Sequence, residues 1–442
     1  MGKSFLLLQF TDLAGVFRST TIKWDGRRLD DVLALFDGSS VIGFTGIEYS
    51  DLVLRPIKET VKEIPWYNGV YRAISKVYLP SGIRLIYDPR FIAEKTLGYI
   101  KSLGYEPKMG VELEFFIFDN IEVLVRDNEQ HLYISSIESP WERGYGIKTK
   151  AAYHVQEPMD TVAEIRREVV KTIEEFGYDC VKNHHEVATA GQVEVSSNTY
   201  DPVKLGDYIQ TFKMIARKIS RDYGMEAVFL PKPIPRDNGN GMHIHSSLWR
   251  DGKNLFHDEN DEYGLSQLAR YFIGGLIEHG RSLSAIVSPT VNSYRRLVPG
   301  YEAPVYLLWG IANRSTAIRI PAIKFKPNSM RIEYRPPDSL ANPYLASSAI
   351  LLAGIDGIKK NIDPGDPYQG NVYEIPLKKI PKEKRLPRNL SEALDELECD
   401  HEYLKPVFSK EVLERYIEIK RKEVKELAPN PAPIEYIYYS IY

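Results

Sequence analysis

Four stretches of the chain alternate apolar and ionisable residues with a period of two. They are Gly110-Val111-Glu112-Leu113-Glu114-Phe115-Phe116, Glu186 to Glu194, Met242-His243-Ile244-His245 and Met330-Arg331-Ile332-Glu333-Tyr334-Arg335. Successive side chains of a strand point to opposite faces, so each stretch predicts a strand with Glu, His or Arg on one side. Val, Ile, Leu or Phe occupy the other. The polar face of an ordinary half-buried strand carries Thr, Ser and Lys. Four faces built from Glu, His and Arg imply one enclosed polar site.

The same reading divides the rest of the chain. Residues 1 to about 85 read as a small α/β unit: strands Phe5–Phe10 and Val16–Trp24, a helix Leu29–Phe36, the turn Asp37-Gly38-Ser39-Ser40, then strand-like runs Asp51–Leu54 and Lys76–Leu79. Pro80-Ser81-Gly82 and Asp88-Pro89 break the pattern and mark a boundary, giving domains 1–85 and 86–442. Helical periodicity follows at Phe91–Leu103, stopped by Gly104, and at Thr161–Phe176, Pro202–Tyr223, Ser266–Ala285 and Pro343–Lys359. A charged amphipathic helix, Lys410–Leu427, ends before Pro429, Pro431 and Pro433. The aromatic tail Ile434–Tyr442 is expected to dock, on this chain or on another subunit.

At 442 residues the chain exceeds what one hydrophobic core organises, in keeping with two domains. A formal net charge of −3 without a basic block disfavours nucleic acid as a partner. No apolar run reaches the roughly 18 residues that cross a bilayer. The two cysteines, Cys180 and Cys399, suggest a reducing setting, hence cytoplasm.

The ionisable residues carry specific chemistry. Glu112 and Glu114 enter a strand whose Phe115, Phe116 and Phe118 make it apolar on both sides, a costly position for carboxylates unless they are paired or metal-bound. Over a regular strand the eight-residue spacing keeps Glu186 and Glu194 on one face; a loop at Ala190-Gly191 would have to restore it. His184 and His185 read as hydrogen-bonded structural residues. Asn238-Gly239-Asn240-Gly241 permits positive φ or close backbone approach beside His243 and His245. His-x-His also suits zinc, but the surplus of Glu and the lack of nearby Cys favour Mg²⁺ or Mn²⁺. Arg295, Arg296, Arg314, Arg319, Arg331 and Arg335 crowd into forty residues and fit phosphate or carboxylate recognition. Two metals with several arginines are the equipment of phosphoryl transfer. A P-loop is absent from the sequence.

Taken in order, these segments resemble type I glutamine synthetase: Phe36-Asp37-Gly38-Ser39-Ser40, Glu112-Leu113-Glu114-Phe115-Phe116, His184-His185-Glu186 through Gln192, Asn238 through His243, Asn292 through Pro304, Asn313-Arg314-Ser315, Ile318-Arg319-Ile320-Pro321, Arg331 through Arg335, and Tyr438-Tyr439-Ser440. The resemblance implies an α+β chain, with a β-grasp-like N-terminal domain and a catalytic domain on an antiparallel, polar-faced, curved sheet. It implies Glu114, Glu186 and Glu194 on one divalent ion, and Glu112, His243 and Glu333 on the other, with ATP as co-substrate. Asn238, Gly239, Arg296 and Arg335 would bind L-glutamate; His245, Ser247, Arg314, Arg319 and Arg331 would bind ATP. Asp37, Ser40, Tyr153 and Glu186 would form the ammonium site, and Glu302 the flap. A dodecamer of two hexamer rings, with Asp37 donated by a neighbour, is implied as well.

The sequence departs from the family at Lys150-Ala151-Ala152-Tyr153 and at Val195-Ser196-Ser197-Asn198, and lacks the signature for adenylylation around Tyr373. Two rivals follow. A γ-glutamyl-amine ligase of the same superfamily would take an organic amine, though Asp37, Asp51 and Glu302 favour ammonia. A non-catalytic member would have lost metal ligands, and all six are present.

Overall fold

The computed structural model describes residues 4–26, 28–126, 128–143, 146–322, 326–427, 437–439 and 441. Pro429, Pro431, Pro433 and Ser440 of the tail lie outside the described residues.

Six strands form the N-terminal sheet: β1 (Ser4–Thr11), β2 (Phe17–Trp24), β3 (Ala34–Asp37), β4 (Asp51–Pro56), β5 (Lys62–Glu63) and β6 (Val70–Tyr78), in the order β2-β1-β6-β4-β3 with β5 beside β6. The first and last long strands, β1 and β6, run parallel at its centre. Leu6, Leu8, Leu52, Leu54, Ala73 and Val77 close a core of their own beneath it. The expected helix Leu29–Phe36 does not form. Leu29–Asp31 makes one 3₁₀ turn and the chain then extends as β3, because pairing with β4 satisfies the backbone and places Ala34 inside.

The second sheet has nine strands. Its path is β10 (Cys180–His185), β11 (Gln192–Ser197), β7 (Glu106–Phe118), β13 (Met242–Arg250), β17 (Ile332–Tyr334), β16 (Ile318–Ile320) and β15 (Trp309–Ile311). Strands β12 (Glu226–Val228) and β14 (Lys253–Asn254) pair at the side, and β8 (Asn120–Arg126) with β9 (Glu129–Ser135) is a separate hairpin. Every pairing in the nine-stranded sheet is antiparallel except β15 with β16.

One face of this sheet supplies Val111, Leu113, Phe115, Val193, Val195, Ile244 and Ile332 to the main core. Helices Pro89–Ser102 and Pro202–Asp222 lie on that face and Pro343–Lys360 packs on both, each opened by a capping side chain (Asp88, Asp201, Asn342) and a proline in the first turn. The expected helix Ser266–Ala285 is two helices, Gln267–Glu278 and Gly280–Val287. The break falls at His279, whose ring nitrogens bond Asp356 and Asp400. Glu186 and Glu194 do not share one strand. His185 ends β10, residues 186–191 form a loop, and β11 starts at Gln192, with Glu186 N–H donating to Gln192 O at 2.7 Å.

Helix Lys410–Leu427 forms as expected, and the described part of the tail docks on this same chain. The Tyr439 hydroxyl accepts from Val291 N–H at 3.1 Å and also pairs with buried Glu423. Among the described residues no helix is long and apolar enough to cross a membrane.

Candidate active site

The opposite face of the nine-stranded sheet carries the ionisable residues, and strand register sets them in rows. Glu194 faces Glu114 on one side and His184 on the other. Glu112 lies between Ser196 and His243. Glu333 lies between His245 and Arg319. Backbone hydrogen bonds therefore fix the rows, and cross-strand neighbours are close enough for their side chains to meet.

The contacts follow the rows. Glu112 bonds His245 Nε2 at 3.0 Å and lies 3.4 Å from His243 Nδ1. His243 Nε2 is 3.8 Å from Glu114, and its Nδ1 is 3.7 Å from Glu333. His184 Nε2 bonds Glu194 at 3.1 Å, and its Nδ1 is 3.7 Å from Glu186. Among the described residues ligand atoms converge closely in three sets: Glu112/Glu194/His243 and His184/Glu186/Glu194, which share Glu194, and Glu138/Asp160/His185. Glu114 accepts Gly241 N–H at 2.6 Å. Glu333 pairs with Arg335 Nη1 at 2.8 Å and also with Arg319.

Charge is unevenly matched along the face. Burial, then the charges of Glu114 and Glu194, push the Glu186 carboxyl well above its usual range. Burial opposes ionisation of Glu333 too, but Arg335 and the histidines outweigh it and hold the carboxyl at about 2. For Glu112, His245 and His243 outweigh burial in the same direction. Among the described residues the carboxylates around Glu186 thus form an anionic cluster without an arginine ion pair. Oxygen donors with one or two imidazoles are what a hard divalent cation requires, and such a cation would relieve the repulsion that raises Glu186.

These carboxylates open onto a cavity of about 30 Å³ that Asn238, Arg296, Arg335, Tyr301, Glu302 and Arg314 also line. Such a space holds only one or two waters. Asn238 Oδ1 is buried there without a hydrogen-bond partner among the described residues. Arg296 is fixed by the carbonyls of Pro336 (2.9 Å) and Arg335 (3.0 Å). Neither Gly239 nor Gly241 has positive φ. Space explains them: a Cβ on Gly239 would meet Pro231 O at 2.2 Å, and one on Gly241 would meet His243 Nε2 at 2.5 Å.

Residues 2–80 match the glutamine synthetase beta-Grasp domain, and residues 86–439 match the glutamine synthetase catalytic domain. The chain belongs to the glutamine synthetase family. The glutamine synthetase of Sulfolobus acidocaldarius is 48% identical, the alignment covering 98% of this chain and 94% of that one. That of Streptomyces coelicolor is 40% identical, over 98% and 96%. The cryo-EM structure of Plasmodium falciparum glutamine synthetase superposes with a TM-score of 0.87 at 27% identity, over 99% and 95%. Membership makes this chain a ligase that works with ATP and divalent metal.

Within the family frame, the remaining expected residues fall in distinct places. Arg331 donates from Nε to His245 Nδ1 at 3.2 Å, next to Glu112. Ser247 sits farther along β13, bonded to Trp249 Nε1 at 2.9 Å. Exposed Arg314 lies beside Tyr153, whose ring packs 5.4 Å from that of His184. Asp37 and Ser40 stand apart. Asp37 accepts from Ser39 N–H (2.8 Å), Ser39 Oγ (2.6 Å) and Ser40 Oγ (2.6 Å), and among the described residues it makes no contact with the carboxylates. The Ser39 and Ser40 bonds hold its carboxyl below the usual range.

Two participants escaped the sequence reading. His184, taken there as structural, touches Glu194 and lies near Glu186; its position two residues before Glu186 was the available signal. Gln192 ties the glycine loop to the sheet, donating to Gly239 O and Asn240 Oδ1 at 3.0 Å each. His185 does behave as a structural residue, bonding Glu138 and Glu186 O at 2.8 Å.

Proposed function

We propose that the polar face of the nine-stranded sheet carries out the ATP-dependent ligation of ammonia to the γ-carboxylate of L-glutamate, through γ-glutamyl phosphate, yielding glutamine, ADP and phosphate. The observation that carries this reading is the group of buried carboxylates, free of arginine ion pairs among the described residues, in a cavity also lined by Arg296, Arg335 and Asn238. Two divalent ions, Mg²⁺ or Mn²⁺, would be held by Glu114, Glu186 and Glu194 and by Glu112, His243 and Glu333, with His184 within reach. When bound, they neutralise phosphate charge during transfer.

The protein's own groups do the rest. The unpartnered Asn238 Oδ1 suits the α-ammonium of glutamate, and the fixed Arg296 fork suits its carboxylate. Arg314, Arg319 and Arg331 would hold ATP phosphates, with His245 and Ser247 on the nucleotide side. An acyl phosphate is hydrolysed by water, so Glu302 would close the cavity over it. Ammonium must lose a proton before attack, and an ionised Asp37 with Ser40, Tyr153 and Glu186 fits that task.

Since Asp37 lies away from the carboxylates of its own chain, we assign it to a neighbour's site. Leu35, Ile47 and Tyr49 around it are 64%, 85% and 74% exposed, an apolar patch that supports burial against another subunit in a ring assembly, a dodecamer. Mixing inactive Asp37→Ala with inactive Glu194→Ala subunits should then restore activity. The division at residues 85 and 86 and a cytoplasmic setting, in keeping with the free thiols of Cys180 and Cys399, belong to the same reading.

The test is phosphate release with ATP, Mg²⁺ and glutamate, comparing ammonium with a panel of primary amines. Release driven by ammonium is expected. Release with organic amines alone would overturn the reading in favour of a γ-glutamyl-amine ligase, and silence with every acceptor would indicate a non-catalytic member.

A further inference from the structure

The loop carrying Glu302 is held by side chains from four other segments. Lys150 Nζ donates to Gly300 O at 2.7 Å. Arg335 Nη2 donates to Glu302 O at 3.0 Å, and the Tyr373 hydroxyl donates to Ala303 O at 2.9 Å. Between these lies Tyr301, its ring centre 3.9 Å from Lys150 Nζ and 3.8 Å from Lys232 Nζ. An aromatic face attracts an ammonium group, and here one ring receives two.

The two lysines are not equivalent. Lys232 is anchored, its N–H bonded to Asn292 Oδ1 at 2.7 Å and its Nζ to Asp237 O. Asp237 in turn accepts the N–H of Asn238 at 2.9 Å. Lys150 is exposed and reaches across from a turn in which its own φ is +61°. Glu302, at φ +56°, is likewise in the left-handed region that side chains disfavour, so neither end of the bridge rests in a relaxed backbone. The cavity beneath is too small for an amino acid. Glutamate needs a wider space than this, and lifting the Glu302 loop, which lines the cavity, would provide it and part the Lys150 contacts.

We propose that Tyr301, clamped between Lys150 and Lys232, is a positioning residue that latches the Glu302 loop shut over activated glutamate, with Lys150 as the half that releases. This rests on the reading of Glu302 as the flap. A loosened latch admits water to the acyl phosphate: water adds at the acyl carbon, inorganic phosphate leaves, and glutamate is regenerated. ATP is then consumed without glutamine being made.

The experiment measures phosphate and glutamine together, with kcat and KM for glutamate, in Tyr301→Leu, Tyr301→Phe, Lys150→Met and Glu302→Ala. The wild type should release one phosphate per glutamine. Tyr301→Leu and Lys150→Met should raise that ratio and the glutamate KM by about three- to tenfold, the range that loss of one or two cation–π contacts allows. Tyr301→Phe keeps the ring and should remain coupled, which a merely misfolded loop would not reproduce. The latch is overturned if Tyr301→Leu stays coupled while Glu302→Ala does not, or if Tyr301→Phe leaks as much as Tyr301→Leu. Coupling retained in Glu302→Ala instead overturns the flap reading itself, and a wild type inactive with ammonium overturns the proposed function.

Discussion

Where helix Pro89–Ser102 meets helix Pro202–Asp222, Arg90 forks onto Asp207 through Nε and Nη2 at 2.9 and 3.0 Å, and the Tyr344 hydroxyl adds a third bond at 2.7 Å. Arg84 pairs with Asp88 and Glu94 at 2.9 and 2.6 Å alongside. Across the polar face of the nine-stranded sheet, Glu114, Glu186 and Glu194 are as buried as these groups, but among the described residues none of them forms an ion pair with an arginine. Both clusters cost desolvation; the first recovers it in ion pairs with arginine, the second only in part, from His184 and the backbone N–H groups of Val187 and Gly241. Matched buried charge thus marks architecture, and unmatched buried charge marks a place meant for something else.

Substituting one member of each cluster should separate the two roles. Glu194→Ala removes a group shared by two ligand sets and should lower glutamine synthesis by about a thousandfold or more, the scale of losing electrostatic stabilisation in transfer. Its unfolding midpoint in chelator should stay level or rise, because one repelling carboxylate is gone. Retention of a tenth of wild-type activity would refute its place in the site. Asp207→Ala should do the reverse. It leaves Arg90 with Glu94 alone and the buried Tyr344 hydroxyl without its acceptor, and should cost about 3–5 kcal/mol in urea unfolding, with kcat within a few fold where the protein remains folded. Equal losses of stability in both variants would erase the distinction.

Metal sharpens the same comparison. At a hundred times its dissociation constant, Mg²⁺ or Mn²⁺ should stabilise the wild type by about 2.7 kcal/mol. It should stabilise Glu194→Ala less than the wild type, and Asp207→Ala as much as the wild type. Calorimetric melting with and without chelator reads all three.

The smallest effect concerns pH. Burial, only partly offset by Asp237, lowers the Lys232 ammonium from its ordinary 10.5 to about 8, with Lys150 and Arg296 acting in the same direction. Below pH 8 Lys232 is charged and faces Tyr301. As pH rises through about 8 the proton is lost, and with it one side of the clamp, so phosphate released per glutamine should climb about two- to threefold. Lys232→Arg keeps its charge and should flatten that rise. A profile identical in both proteins would show that Lys232 does not titrate into the clamp.

Much of this was legible in the sequence, and for one reason: period-two alternation does not depend on which strands become neighbours. Glu112, Glu114, His243, His245 and Glu333 were assignable to polar faces before any pairing was known. What the alternation could not provide was partnership. Whether Arg319 and Arg335 faced a ligand or Glu333 depended on register between β16, β17 and β13. Local pattern also failed where distant contacts ruled, as at Leu29–Phe36, drawn into extension by β4, and at His279, where two aspartates interrupt a helix that periodicity would continue. The clamp on Tyr301 joins residues 150, 232 and 301, and no spacing rule links them.

The rows on the polar face carry one more consequence, for quality control of the nascent chain. Sliding β13 by a single residue against β7 would turn His243 and His245 into the apolar core and present Met242 and Ile244 to water. The ligand set and the core are two readings of one alignment, so an error in one is an error in both. A chain that misaligns here cannot persist as a soluble, well-folded but inactive isomer; it is exposed as sticky and left to aggregation or proteolysis. The soluble fraction should therefore be homogeneous in specific activity, with failures of assembly appearing as lost protein.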